Sequence, residues 1–193
     1  IKKQIYTVGS EQDYHFKILF KILEKLNYNW AKECFHLSYG MIDLPSGKMK
    51  SREGIVVDAD QLIYNMIQTA KKRTNELGKL DDFQNDNSED LYNIIAIGAL
   101  KYFLLKVDPK KRMLFDPEES IDFQGNTGPF IQYTYARILS LIKRGDSLNL
   151  DYKNIDLSKN FQLTNIQKKI INHVYLFSDT IKLSSDMYSP AVI

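Results

Sequence analysis

The fold is decided by residues 4–41, QIYTVGSEQDYHFKILFKILEKLNYNWAKECFHLSYGM. This stretch opens with alternating β-branched and aromatic residues that stop at Gly9, which predicts a short strand. Apolar residues then recur every three or four positions as far as Leu26, which predicts a helix. A second alternating run closes the stretch near Met41 and predicts another strand. A strand, a helix and a strand over this length indicate one βαβ unit.

The carboxyl ends of the two strands are where a βαβ unit gathers its ligands. Gly9 and Gly40 fall at those ends. Gln12, Asp13 and His15 follow the first strand at the start of the helix, where a pocket would lie. Helix capping and solvation explain the same residues, and a histidine in a first turn is more often a surface residue than a catalyst.

A basic loop follows the second strand, with the sequence DLPSGKMKSREGIVVD at residues 43–58. Lys48, Lys50 and Arg52 alternate between two glycines, and a proline near the start excludes a helix interior. Lysine charges, closely approaching glycine backbone and the Ser51 hydroxyl would suit a polyphosphate. The alternative, which the charge pattern alone favours, is a solvated surface turn.

Composition limits the class of protein. The chain has 193 residues, of which 44% are hydrophobic and 26% charged, so it is long enough for a sizeable core. Its net charge of +2 is too small to identify a nucleic-acid binder. Cys34 is the only cysteine, so we expect no structural metal and a reducing compartment, the cytoplasm. We also expect no membrane segment and, from the ends at Ile1 and Ile193, a fragment of a longer protein.

Two capping boxes predict helix starts in the remaining sequence. Asp58 is followed by Gln61 and an apolar face, and Thr164 is followed by Gln167 and another. In such a box the first side chain accepts from the third helical amide, and the third side chain reaches back.

Two further helices are predicted from apolar runs and their boundaries. Residues 91–107 are apolar on nearly every side, which predicts a buried helix, and Gly98 would allow a neighbouring helix to approach closely. Pro129 and Gly145 mark the start and end of the next helix. The polar residues 77–89 are predicted to be a linker that divides two packing units.

Three segments resemble arginyl-tRNA synthetases. GKMKS at residues 47–51 is similar to the KMSKS signature of class I aminoacyl-tRNA synthetases. The longer run HLSYGMIDLPSGKMKSREGIVVDAD, residues 36–60, resembles the corresponding segment of the arginyl family. So do FD at 115–116 and FQGNTGPFIQYTYAR at 123–137. Long matches in separate places carry more weight than one pentapeptide.

The resemblance implies a fold and a domain order. The fold class is an α/β remnant, the C-terminal part of a Rossmann-type nucleotide-binding domain, followed by an all-α helical bundle. Residues 1–64 would end the catalytic domain and carry the signature loop at 46–54. Residues 65–145 would form connecting helices, and residues 146–193 would begin the anticodon-binding domain.

The implied function is that of an arginine–tRNA ligase. ATP and arginine would give arginyl-adenylate and pyrophosphate, and the arginyl group would then move to tRNA(Arg). We expect Mg²⁺ with the ATP and a monomeric enzyme. The amino-terminal half of the pocket would lie upstream of this sequence, so we expect the isolated chain to be inactive.

The resemblance also implies roles for single residues. Lys48 and Lys50 would be catalytic, acting on the departing pyrophosphate. VGSEQDYH at residues 8–15 resembles the segment that lines the amino-acid and adenylate pocket in this family, which implies that Gln12 contacts arginine and that His15 lies near the nucleotide. The residues expected to bind ATP are Lys48, Met49, Lys50, Ser51 and His15. Basic residues in clusters or beside tyrosines are expected to contact tRNA, namely Lys110, Lys111, Arg137, Lys143 and Arg144.

Two other functions remain open on the sequence alone. One is a stand-alone helical RNA-binding or scaffold module that retains the loop without using it. The other is a class I synthetase for a different amino acid, because physical reasoning alone does not identify the cognate acid.

Overall fold

A computed structural model of the chain describes residues 3–44, 47–48, 58–76, 88–151 and 162–193. A small strand region comes first and long helices follow, as predicted. The elements in chain order are β1 (Gln4–Gly9), α1 (Asp13–Lys25), β2 (Cys34–Tyr39), β3 (Ile42–Leu44), β4 (Gly47–Lys48), α2 (Ala59–Glu76), α3 (Ser88–Leu105), β5 (Met113–Leu114), α4 (Pro117–Ser120), α5 (Gly128–Ser147) and α6 (Asn165–Met187).

The predicted βαβ unit is present. β1 and β2 are parallel, with Gln4 opposite Cys34 at one end and Gly9 opposite Tyr39 at the other. α1 packs on this pair through the buried side chain of Phe16. The helix ends where predicted, because Asn27 adopts the left-handed conformation, with φ of 58°.

A second, smaller sheet follows directly and was not predicted. β3 pairs with β4 in antiparallel fashion and with β5 in parallel fashion. Asp43 is opposite Lys48 on one side and Leu114 on the other. Two-residue strands such as β4 and β5 carry no usable periodicity, so only the structure shows them.

The two predicted capping boxes differ in outcome. At α6 the box is complete. The backbone amide of Gln167 donates to Thr164 Oγ1, and the backbone amide of Thr164 donates to Gln167 Oε1. At α2 the predicted box does not form. Asp58 instead accepts from the backbone amide of the second helical residue, Asp60, at 2.8 Å, and the Gln61 side chain donates along the helix to Asn65.

The main core lies between α2 and α3 and is closed by β5 and α4. It contains the buried residues Met66, Ala70, Ile95, Ala96, Ala99, Phe103, Phe115 and Ile121. Residues 77–87 of the predicted linker lie outside the described part of the chain. The helices on either side of them share one core, so the expectation that the linker divides two packing units is wrong.

α3 and α5 pack with their backbones in contact, as Gly98 led us to expect. A Cβ on Gly128 would lie 2.6 Å from the carbonyl oxygen of Gly98, so Gly128 leaves no room for a larger residue, whereas a Cβ on Gly98 would meet only the end of the Gln132 side chain. Pro129 occupies the first turn of α5, but the predicted stop at Gly145 is wrong. The helix continues to Ser147 and ends in a turn at Asn149, whose φ is 51°.

α6 is mostly solvated but its C-terminal end returns to the first sheet. Ile166, Ile170, Val174 and Phe177 are all more than half exposed. Tyr188, just beyond the helix, stacks on Phe35 of β2 with ring centroids 4.7 Å apart.

Within the part of the chain that the structure describes, no helix has the length and apolar character needed to cross a membrane.

Candidate active site

A cleft of about 470 Å³ opens at the carboxyl ends of β1 and β2, where the βαβ unit predicted a ligand site. Its walls are the end of β1, the turn into α1 and the segment from Tyr39 to Ile42. Both glycines that were singled out at the strand ends, Gly9 and Gly40, line it.

Gly40 is required because another segment crosses directly over it. Its amide donates to the carbonyl oxygen of Pro109 at 2.7 Å. A Cβ on Gly40 would overlap the backbone of Lys111 and lie 2.8 Å from the amide nitrogen of Arg112. The wall of the cleft is therefore fixed by a backbone contact between distant parts of the chain.

Two polar residues of the turn after β1 line the cleft. One is Gln12, which the resemblance assigned to arginine, and the other is Glu11, which the sequence reasoning missed. An amide oxygen and a carboxylate both accept hydrogen bonds from a cation. Glu11 could have been found, because it lies in the same short turn as Gln12.

His15, unlike Gln12, lies outside the lining of the cleft. It is exposed and contacts the ring of Phe16 edge-on at a centroid distance of 5.7 Å. The proposed contact between His15 and the nucleotide remains a prediction.

His36 joins the elements behind the cleft. Its Nε2 lies 3.0 Å from the carbonyl oxygen of Val8, and its Nδ1 lies 3.3 Å from a carboxylate oxygen of Asp13. Its ring stacks on Phe16 at 4.3 Å. The contacts connect β2 to the end of β1 and to the first turn of α1, the elements that present Gln12.

The signature segment begins in the β3–β4 hairpin beside the cleft. Lys48 is the last residue of β4 and is opposite Asp43 in β3. Arg112 forms a two-point ion pair with Asp43, which raises the pKa of Arg112 through its hydrogen bond and then through the opposite charge. Met49, Lys50 and Ser51 lie outside the described residues.

The residues predicted to contact tRNA lie on two elements. Lys110 and Lys111 are in the turn before β5, and Arg137, Lys143 and Arg144 are on α5. All five are exposed. The Arg137 guanidinium lies 5.7 Å from the centre of the Tyr133 ring, so the tyrosine has a cationic neighbour, as the sequence suggested.

Another cavity, of about 500 Å³, lies where β1 and β2 meet the ends of α3 and α6. None of the described residues that line it is acidic or basic. A charged substrate is therefore better matched by the cleft at the strand ends. The described residues contain no cluster of three or more potential metal ligands.

The parallel βαβ unit, with a cleft at its strand ends, is the arrangement that places ligands in open α/β folds. Residues 1–116 match the family model "tRNA synthetases class I (R), catalytic domain". The chain belongs to this family, as the resemblance indicated.

Individual relatives agree with the family match. The chain is 52% identical to an arginine–tRNA ligase from Amoebophilus asiaticus over 191 aligned residues, which are 99% of this chain and 32% of the relative. It is also 52% identical to an arginine–tRNA ligase from Flavobacterium psychrophilum over 189 aligned residues, which are 98% of this chain and 30% of the relative. The chain therefore spans about a third of the length of the curated relatives it matches.

Solved structures support the fold. The arginyl-tRNA synthetase of Thermus thermophilus superposes with a TM-score of 0.80 at 22% identity, over 99% of this chain and 30% of that one. The synthetase of Plasmodium falciparum gives a TM-score of 0.72 at 20% identity, over 96% and 30%. Both likenesses extend through the helical half of the chain.

Proposed function

We propose that this chain is a portion of an arginine–tRNA ligase, which activates arginine with ATP and transfers it to tRNA(Arg). The supporting observation is the cleft at the ends of β1 and β2, with Gln12 inside it and the Lys48 hairpin directly after it. The names of the relatives, which are 52% identical, support the choice of arginine.

The cleft offers groups that suit a guanidinium. The Gln12 amide oxygen accepts hydrogen bonds without adding charge, and the Glu11 carboxylate adds a negative charge in the same cleft. A site that accepts from a substrate N–H discriminates strongly against analogues that lack it, because its own polar group is then left unpaired. We propose that the pair binds the arginine side chain.

The signature lysines would act on the triphosphate. In the proposed reaction the arginine carboxylate attacks the α-phosphorus of ATP, and pyrophosphate leaves with the electrons of the broken P–O bond. Lys48 and Lys50 are placed in sequence to meet that leaving group, with Met49, Ser51 and His15 as further ATP contacts. We propose that Mg²⁺ accompanies the ATP phosphates.

The domain order is also part of the proposal. Residues 1–64 would end the catalytic domain, residues 65–145 would connect, and residues 146–193 would begin the anticodon-binding domain. The first division falls within α2. We further propose a cytoplasmic location, because a free thiol at Cys34 suits a reducing compartment, and we propose that the protein is a monomer.

The experiment is amino-acid-dependent ATP–pyrophosphate exchange by the full-length protein, with tRNA(Arg) present. We expect exchange with arginine and none above background with lysine or glutamine. Exchange with a different amino acid would identify another class I synthetase. Absence of exchange with all twenty amino acids would favour the RNA-binding or scaffold alternative.

The proposed tRNA contacts predict a salt-sensitive interaction. Lys110, Lys111, Lys143 and Arg144 are exposed, and cations that neutralise phosphates release bound counterions. We expect the isolated chain to bind tRNA weakly, with an affinity that falls steeply between low and physiological salt in filter-binding or anisotropy measurements. Tight binding that does not change with salt would contradict these contacts.

A further inference from the structure

Asp43, at the base of the signature hairpin, is held by both its side chain and its backbone. Arg112 donates from Nη2 to Asp43 Oδ1 at 2.8 Å and from Nε to Oδ2. The backbone amide of Phe115 donates to the Asp43 carbonyl oxygen at 2.8 Å. The residues on either side of β5, Arg112 and Phe115, therefore hold β3 through three hydrogen bonds to Asp43.

We expect the Arg112–Asp43 ion pair to fix the orientation of its two groups rather than to add much to the free energy of unfolding. Side chains of Arg112 and Asp43 are 53% and 21% exposed, and exposed pairs contribute little to the free energy of unfolding. A guanidinium that meets a carboxylate at two points nevertheless fixes the orientation of both groups. Lysine, with a single ammonium, cannot reproduce this arrangement.

The pairing of β3 with β4 connects Asp43 to Lys48, a residue of the signature. Asp43 in β3 is directly opposite Lys48 in β4. Farther back, the crossing of Gly40 by Lys111 holds the same segment at a second point. A slip of one residue moves every side chain of a strand to the other face. The anchor at Asp43 in β3 and the contact at Gly40 just before it therefore fix the register in which the backbone of β4 pairs with β3.

We propose that Arg112 is a positioning residue for the signature hairpin, acting through Asp43 on the strand that carries Lys48. This inference rests on the proposed function, in which Lys48 contacts ATP. It assigns the turn at residues 108–112 a role in ATP use, in addition to the tRNA contacts expected of Lys110 and Lys111.

The test uses the full-length protein with tRNA(Arg) present and compares Arg112→Gln, Arg112→Lys and Arg73→Gln. Arg73 is the matched control, since its guanidinium also forms an exposed pair, with Glu118 at 3.1 Å, which joins α2 to α4 and includes no residue of the hairpin. We expect Arg112→Gln to lower kcat/KM for ATP about fivefold and Arg112→Lys about twofold, with KM for arginine unchanged. Arg73→Gln should change neither quantity.

A merely structural role for Arg112 would give a different pattern. Loss of folded enzyme would lower the rate with both substrates in proportion, whereas mispositioning of the hairpin affects ATP alone. Proportional losses, or an Arg112→Gln enzyme equal to the wild type, would overturn the proposal.

A double-mutant cycle tests the route through Lys48. If Arg112 acts by positioning Lys48, the loss in Arg112→Gln/Lys48→Ala should be smaller than the product of the two single losses. Strictly multiplicative losses would show that the two residues act independently and would contradict the proposal.

Amide hydrogen exchange separates this inference from the proposed function. In the full-length protein we expect the β3 and β4 amides to exchange faster in Arg112→Gln than in wild type or Arg73→Gln. This measurement needs no activity. A wild-type enzyme that activates no arginine would refute the proposed function, and unchanged exchange would refute the anchoring by Arg112.

Discussion

The strand-end cleft and the signature hairpin are neighbours in the chain but differ in construction. The cleft is built from β1, β2 and the turn before α1, and a distant turn crosses behind it. The hairpin joins two strands that are adjacent in the chain, and the signature that begins in it is recognisable from a few consecutive residues. In the proposed reaction they also act at different stages. The cleft binds a substrate that is already charged, whereas the hairpin meets charge that grows as pyrophosphate leaves.

This difference predicts different kinetic effects. Groups that bind the ground state and the transition state equally affect KM, and groups that engage only in the transition state affect the rate. Substitutions in the cleft should therefore appear mainly in arginine binding, and substitutions in the hairpin should appear mainly in the rate of adenylate formation.

The largest expected effect is on the isolated chain. It contains both the cleft and the hairpin, but it spans only about a third of the relatives it matches. We expect no arginine-dependent ATP–pyrophosphate exchange by the purified 193-residue chain, under conditions in which the full-length protein is active. Measurable exchange would show that the cleft and the hairpin are sufficient for the reaction.

The next largest effect is expected at Lys50, the second lysine of the signature. Removing one positioned electrostatic donor lowers catalytic rates by about 10²-fold in comparable sites, and we expect Lys50→Ala to slow adenylate formation by that amount. The dissociation constant of ATP should stay nearly unchanged. Transient kinetics of the full-length enzyme measure both quantities, and a raised dissociation constant with an unchanged rate would make Lys50 a ground-state binder.

A smaller effect is expected at Gln12, and it should appear in KM for arginine rather than in the rate. Loss of a hydrogen bond to a charged group costs roughly 1.5–3 kcal/mol, so Gln12→Ala should raise KM for arginine about tenfold or more and leave kcat little changed. Gln61→Ala is the matched control, because Gln61 is exposed on α2 and bonds only along its own helix. A fall in kcat without a change in KM would remove the distinction between cleft and hairpin.

The sequence predicted those parts of the site that depend on local pattern. The βαβ unit, the strand-end glycines and the position of Gln12 follow from periodicity and turn chemistry within residues 4–41. The anchor of the hairpin could not be predicted this way. Asp43 and Arg112 are 69 residues apart in the sequence. Arg112 also follows two lysines, so nothing in the local pattern distinguished it from the other cations of a basic turn.

The helices show the same limit of local pattern. α3 and α6 both carry many apolar residues, yet α3 is buried on one face by α2 and α5, whereas α6 buries only Ser184. An apolar face predicts that a helix can be buried, but a partner segment decides whether it is. Gly98 was an informative exception, because a glycine beside two alanines indicates close contact before the partner is known.

The smallest effect is expected at Lys48, which lies where the two regions meet. β4 pairs the backbone of Lys48 with that of Asp43. If this pairing keeps the lysine near the triphosphate before the reaction begins, the lysine interacts with the ground state as well as with the transition state, and such uniform binding contributes less to the rate. We therefore expect Lys48→Ala to lower kcat/KM for ATP about tenfold, with part of the loss in ATP affinity. Transient kinetics could instead show that Lys48→Ala leaves the dissociation constant of ATP unchanged and lowers the rate of adenylate formation as much as Lys50→Ala does. In that case the two lysines would have the same role, and both would act on the leaving pyrophosphate.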